Sequence, residues 1–406
     1  MKKKLLLLGG SDQQLVAIDT AKRLGYETIL CDYLPDNPGQ FHADRFYPAS
    51  TTDKEAILRI AEEEKIDGIL AYASDPAAPT AAYVAEKLGL PGNPYESVEI
   101  LCRKDRFRKF LSENGFCTPK AKGYHDIAAA RSDLESGFFR FPVLVKPTDS
   151  SGSKGVSRID SAQDVDGKLQ SAFDRSRTKT IVIEEWVEKY GYQIAGDGLS
   201  IDGRLAFRYF GNDHFDESND VNPFVPTAAS FPSILPESVQ NMVHDEIQRL
   251  LTLLGMKTCT YNFDIRIDKD GNVYLMEIAP RSGGNYIPDI LTIATGVDLI
   301  ACAVKNAMGE KITLPEKITP KGFYAYYALH SRKKGILREI RYQQSIRERH
   351  LVAEHIKTKR GDMVTPFSGA DNCIGIDILK FESMEQMLSM IEHTQSWVSI
   401  ELEALS

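Results

Sequence analysis

The chain is short of the features that would settle its class at a glance. It has six cysteines in 406 residues (Cys31, Cys102, Cys117, Cys259, Cys302 and Cys373), scattered, with no CxxC and no His/Cys cluster. That gives no hint of zinc and fits a reducing, cytosolic setting. A net positive charge is lacking too: the balance of -8 argues against a nucleic-acid partner, which needs a basic face. No run approaches the ~20 apolar residues of a membrane span, so no membrane partner is expected. The start MKKKLLLLGG has only four leucines before a glycine pair, too short for a signal-peptide core, and it reads as a buried strand. Neither GxGxxG nor GxxxxGK[ST] occurs, which weakens a Rossmann oxidoreductase and excludes a Walker A loop.

What is present falls into three regimes, and the length itself predicts two or three domains. Over residues 1–100, apolar runs (5–8, 27–33, 68–74) alternate with helical patterns at 14–25 and 53–65. Such alternation predicts an α/β domain with a parallel sheet. Its first turn, GGSDQQL, reads as a tight turn or a weak phosphate loop, and Asp32 as a helix cap or a ribose ligand.

Residues 101–314 carry most of the chemistry. FPVLVKP (141–147) is a strand ending in Lys146, and TDSSGSKGV follows it. Glycines there let backbone N–H groups approach an anion, serine hydroxyls add donors, and a lysine supplies a point charge. At 180–199 an apolar strand runs into Glu184, Glu185, Trp186 and Val187. The segment 259–277 alternates around Asp270-Gly271, a hairpin signal that sets Asp264 near opposite Glu277. Two close carboxylates repel unless one is protonated or a cation lies between them, and oxygen ligands of this type suit Mg²⁺. The competing reading is a salt bridge from Glu277 to Arg266 or Arg281. The polar stretch 208–230 is expected to border a substrate pocket, with His214 as a ligand or a surface residue.

The order Lys104, Lys146, SSGSKG, EEWV, Asp264, Glu277 and Ala-Pro-Arg resembles the ATP-grasp superfamily over about residues 1–310. Similar members are D-alanine–D-alanine ligase, biotin carboxylase and the ATP-dependent carboxylase of purine synthesis. The resemblance implies an N-terminal parallel α/β domain (1–100), an ATP-binding α+β domain (101–314) with a lid (about 117–188), and a small C-terminal α+β subdomain (315–406). The last resembles that of biotin-carboxylase-like and L-amino-acid ligase members, and His330 and Arg332 are its candidate substrate contacts.

By the same resemblance, Lys104 and Lys146 contact ATP phosphates, and the loop Ser150, Ser151, Gly152, Ser153 and Gly155 closes over them. Glu184, Glu185 and Val187 grip adenine, and Glu188 or Gln193 holds the ribose. Asp264 and Glu277 bind Mg²⁺, with Mn²⁺ as a substitute. Arg281, with Lys146, steadies the transferred phosphoryl or acyl phosphate. Ala279 stands where many relatives carry asparagine, which leaves one metal ion or two open.

The implied activity joins a small carboxylate to an amine through an acyl phosphate, releasing ADP and phosphate. A bicarbonate-dependent carboxylase and a non-catalytic nucleotide-binding regulator are the alternatives, and a homodimer is compatible with each. The intact catalytic set disfavours the regulator, since pure binding does not require Arg281.

Overall fold

The computed structural model describes residues 2–404. The leucine run forms the strand Lys4–Leu8, flanked in a four-stranded parallel sheet by Glu27–Asp32 and Gly68–Leu70, with Arg45–Pro48 at the edge. Leu6 and Leu8 enter one apolar cluster and Leu5 and Leu7 another, so the sheet is covered on both faces. Continuous apolar runs are the signature of such strands. The expected helices are Leu15–Arg23 and Lys54–Glu64, the second begun by Asp53, whose carboxylate accepts from Ala56 N–H at 3.0 Å. Asp32 neither caps a helix nor faces the cleft described below: its oxygens accept from the Gly10 and Leu34 N–H groups at 2.8 and 2.9 Å and brace the first turn.

A second, four-stranded antiparallel sheet runs Ala121–Tyr124, Ile181–Glu185, Val143–Pro147, Ser157–Ile159. Helices Ile127–Glu135 and Asp166–Arg175 lie on it over a small core of its own. The loop between Val143–Pro147 and Ser157–Ile159 is the serine–glycine stretch.

The third unit is an eight-stranded antiparallel sheet in the order Val273–Ala279, Cys259–Ile267, Gln193–Ile201, Arg204–Phe215, Pro226–Phe231, Phe323–Leu329, Gly375–Phe381, Leu351–Ile356. The stretch 208–230 is therefore mostly strand, with a loop only at 216–225. The compositional boundary at 314/315 falls inside this one hydrogen-bonded sheet, because Phe323–Leu329 pairs directly with Pro226–Phe231. Sheet continuity is invisible to composition, which registers local bias and not long-range pairing. Beyond it, Met363–Val364, Gly335–Tyr342 and Val398–Glu403 make a small separate sheet, and the expected amphipathic helix is Met384–Glu392. No single helix among the described residues is long and apolar enough to cross a membrane.

Candidate active site

The three units enclose a cleft of about 860 Å³. Its floor is the hairpin Cys259–Ile267/Val273–Ala279, in which Asp264 pairs directly with Glu277. The next pair is Ile265 with Leu275, so Met276 is an extra residue, a β-bulge. Leu275 and Ile278 both enter the core beneath, which leaves Met276 and Glu277 together on the cleft side. Bulges re-aim side chains in this way next to sites. Burial pushes the Asp264 carboxyl well above its usual range, reinforced by the charges of Asp213 and Glu277 and opposed by Arg281. No protein group donates a hydrogen bond to it among the described residues.

Neither salt bridge proposed for Glu277 forms. Its ionic partner is Lys104, Nζ at 3.5 Å from Oε2. Arg266 instead donates to Gln193 Oε1 and the Val187 carbonyl, each at 2.9 Å. Arg281 is forked by Asp75, which accepts from Nε and Nη2 at 2.8 and 2.7 Å. That pairing keeps the guanidinium firmly protonated. Asn262, directly opposite Ala279, accepts at Oδ1 from Arg281 Nη1 at 3.1 Å and donates from Nδ2 to Asp197 Oδ1 at 3.0 Å. It positions Arg281.

Asp264 and Glu277 fit a divalent cation on the chemistry of the pair: two facing carboxylates in one cleft, one without a protein donor. Among the described residues no cluster of three His, Cys, Asp or Glu side chains could hold a metal. Solvent or substrate oxygens would have to complete the shell, as Mg²⁺ prefers.

Lys104 opens the helix Lys104–Glu113 and reaches the lid loop as well, donating to the Ser150 carbonyl at 2.8 Å. Lys146 lies against Glu184, which also accepts from Arg108 Nε at 2.8 Å. Burial alone would raise the Glu184 pKa, but Arg108 and Lys146 outweigh it and bring it down to about 2. Arg108 donates further to the carbonyls of Leu275 and Met276, at 3.3 and 2.9 Å. One buried arginine thus ties the lid sheet to the bulge under Glu277.

Ser150, Ser151, Gly152 and Ser153 line the cleft, as do Glu188 and Gln193. Gly155 does not: a Cβ there would lie 2.7 Å from Arg175 Cδ and 3.0 Å from Pro147, so it serves close packing at the loop's base. Strand alternation separates the two acids at 184 and 185. Glu185 turns to the other face of the lid sheet, where its carboxylate accepts from Arg140 N at 2.9 Å and Nη2 at 3.0 Å. Val187 turns its side chain inward and presents its carbonyl to Arg266. Both amide atoms of Gln193 are engaged, with Arg266 and with Asp213. Among the described residues, Glu188 keeps only the Trp186 indole N–H as a hydrogen-bond donor, at 2.7 Å.

His214 is buried away from the cleft, with Nε2 2.9 Å from Ser230 Oγ and burial pushing its pKa down to about 4. His330 is also withdrawn, and Arg332 pairs with Asp216 at 2.6 Å. Sequence reasoning passed over Asp75, Arg108, Asp213 and Met276. A lone charged residue in a loop, a helix or a polar strand carries no local signal of its distant partner.

Two family models of one superfamily match in order: the ATP-grasp N-terminal domain over residues 18–92 and the ATP-grasp domain over 139–289. The chain belongs to the ATP-grasp superfamily. This ATP-grasp chain is 27% identical over 303 residues to the arginine-specific large chain of carbamoyl phosphate synthase from Bacillus subtilis, covering 72% of itself and 28% of that protein. It thus spans little more than a quarter of the length of that curated relative. The fold is similar to the L-amino acid ligase of Bacillus licheniformis (TM-score 0.81, 23% identity, 99% of each chain). It is also similar to the biotin carboxylase domain of Hydrogenobacter thermophilus 2-oxoglutarate carboxylase, a dimer solved with MgADP, ADP and bicarbonate. There the TM-score is 0.74 at 16% identity, over 99% of this chain and 91% of that one.

Proposed function

We propose that the protein is an ATP-dependent ligase that activates a small carboxylate as an acyl phosphate and joins it to an amine, releasing ADP and phosphate. The observation that carries this reading is the convergence of Asp264, Glu277, Lys104, Lys146 and Arg281 on one cleft roofed by a serine–glycine loop. Leu144, Val156, Trp186 and Met276 offer apolar walls for adenine. Glu188, less committed than Gln193, holds the ribose hydroxyls. Lys104 and Lys146 hold the phosphates, and N–H and hydroxyl groups of 150–153 cover them.

A Mg²⁺ ion held by Asp264 and Glu277, with Mn²⁺ able to replace it, would offset charge on the transferred phosphoryl oxygens. Arg281, already aimed by Asp75, Asn262 and the Ser282 carbonyl, presents its positive charge and the remaining Nη2 N–H where the substrate carboxylate and then the acyl phosphate lie. The loop 150–155 keeps water from the acyl phosphate until the amine attacks. The reaction needs no protein nucleophile.

The fold's likeness to an L-amino acid ligase and the sequence match to carbamoyl phosphate synthase support the reaction class. The test is interception by hydroxylamine: with ATP, Mg²⁺ and pools of carboxylic acids, a hydroxamate should form together with ADP. A protein that binds Mg-ATP yet yields neither hydroxamate nor acid-dependent ADP overturns the reading.

A further inference from the structure

The strand Arg204–Phe215 carries a carboxylate into the cleft that the phosphoryl chemistry leaves unused. Asp213 pairs in register with Gln193, while Asp264 pairs with Ala195 on the far side of the same neighbouring strand. Asp213 and Asp264 therefore stand two strands apart, about 10 Å across the sheet. Asp213 is only 4% exposed, yet it lines the cleft. Its Oδ2 accepts from Gln193 Nε2 at 3.0 Å, and that amide's oxygen is taken by Arg266. The nearest arginine thus reaches Asp213 only through a neutral side chain, and no lysine or arginine among the described residues forms an ion pair with it. Phe215 and Tyr326 line the cleft beside it, with Asn285.

A buried carboxylate normally has a counter-charge, because desolvating a lone anion is costly. Burial pushes this one up to about 7 against the help of Gln193, Arg266 and Lys189. The cleft is the side from which a positive charge can reach it. Asp213 does not close up with Asp264 and Glu277 into a three-ligand cluster among the described residues. A compact organic cation fits, because it can enter with substrate.

We propose that Asp213 is an ammonium-binding subsite that receives a protonated primary amino group of a substrate. The group belongs either to the attacking amine or to an amino acid whose carboxylate is activated, and only this choice rests on the ligase reading. The substrate class is therefore amino acids or small primary amines, and not two neutral or anionic partners.

Asp213→Asn is the discriminating variant. Asparagine keeps an acceptor for Gln193, removes the charge and is not expected to unfold the protein. Wild type and variant, each saturated with Mg²⁺ and a non-hydrolysable ATP analogue, are titrated with the twenty L-amino acids, methylamine, ethanolamine and putrescine. The N-acetyl forms of the same compounds are titrated in parallel. At least one amino compound should bind wild type and lose tenfold or more in affinity in the variant, while its N-acetyl form and the ATP analogue bind both alike. A hydroxamate assay then separates the sources. Loss of hydroxamate in the variant places the ammonium on the activated acid; retained hydroxamate with lost amide places it on the attacking amine. The proposal is overturned if no amino compound binds wild type, or if those that bind do so within twofold in the variant. Absence of hydroxamate from any acid in wild type would instead overturn the ligase reading and leave the binding result standing on its own.

Discussion

Asp264 faces Glu277 across an antiparallel pair, and the bulge one step further keeps both carboxylates in the cleft. Without a cation between them the two repel, and Asp264 is the deeper, protonation-prone member. Asp264→Asn should therefore raise the melting temperature in EDTA while abolishing the extra stabilisation that Mg²⁺ gives with an ATP analogue. Glu277→Gln should fold normally and lose turnover by about a hundredfold or more. Near-normal turnover of Glu277→Gln at saturating Mg²⁺ would end the metal assignment.

A buried asparagine helps to dock the lid loop. Asn222 Nδ2 donates to the carbonyls of Ser153 and Ser368, each at 2.9 Å, and Ser153 Oγ donates to Phe224 O at 2.8 Å. Losing the one Asn222 hydrogen bond that holds the loop itself, at roughly 1 kcal/mol, would raise the open population about fivefold. Asn222→Ala should accordingly speed proteolytic cutting within 150–155 by roughly that factor, and a non-hydrolysable ATP analogue with Mg²⁺ should slow cutting in both proteins. Equal cutting rates with and without bound analogue would mean that the loop does not close over phosphates.

Away from the cleft, Asp377 is fully buried, with Oδ2 accepting from Tyr342 Oη at 2.9 Å and Oδ1 unpartnered. Burial pushes its pKa up to about 7, helped by the charge of Glu354. The folded state therefore holds a proton that the unfolded chain, at an ordinary ~3.9, releases. Stability from this group is full below about pH 4 and is lost as pH rises toward 7. Asp377→Asn, which mimics the protonated form, should leave stability at pH 4 unchanged and raise it above pH 7 by on the order of 2 kcal/mol. Chemical denaturation at the two pH values measures both, and equal increments at each would contradict the burial argument.

Local signals were legible wherever period and turn chemistry decide the outcome. The leucine run, the Asp270-Gly271 hairpin and the strand ending in Lys146 all lie where alternation and turn residues place them. The facing of Asp264 and Glu277 was legible too, but not the bulge, because one extra residue leaves the composition of a strand unchanged. What escaped was long-range: Asp75 meets Arg281 across 206 residues, Arg108 meets Glu184 across 76, and the sheet runs on past residue 314. Alternation at 184–185 could have separated the inward acid from the outward one. Which of the two faced in depended on Arg108, whose helix carries no mark of that partner.

The Asp75–Arg281 fork bears on the chemistry itself. Asp75 occupies Nε and Nη2, and Nη1 reaches Asn262 and the Ser282 carbonyl, so the guanidinium plane is held from two sides. An arginine aimed this way is pre-organised for charge that develops on substrate, whereas a lysine would keep the charge and lose the plane. Arg281→Lys should lower hydroxamate formation by roughly a hundredfold, about 3 kcal/mol, with little change in ATP affinity, since the adenine walls lie elsewhere. Asp75→Asn tests the aiming separately, because the amide can still accept one hydrogen bond but no longer presents two anionic oxygens to the fork. It should lower the same rate by a smaller factor, on the order of tenfold, again sparing ATP binding. Both rates are measured at saturating ATP, with the dissociation constant of an ATP analogue determined alongside. If Arg281→Lys weakens analogue binding and leaves the saturated rate unchanged, Arg281 is a nucleotide contact. If Asp75→Asn has no effect while Arg281→Lys is severe, the arginine acts without the hold that Asp75 gives it.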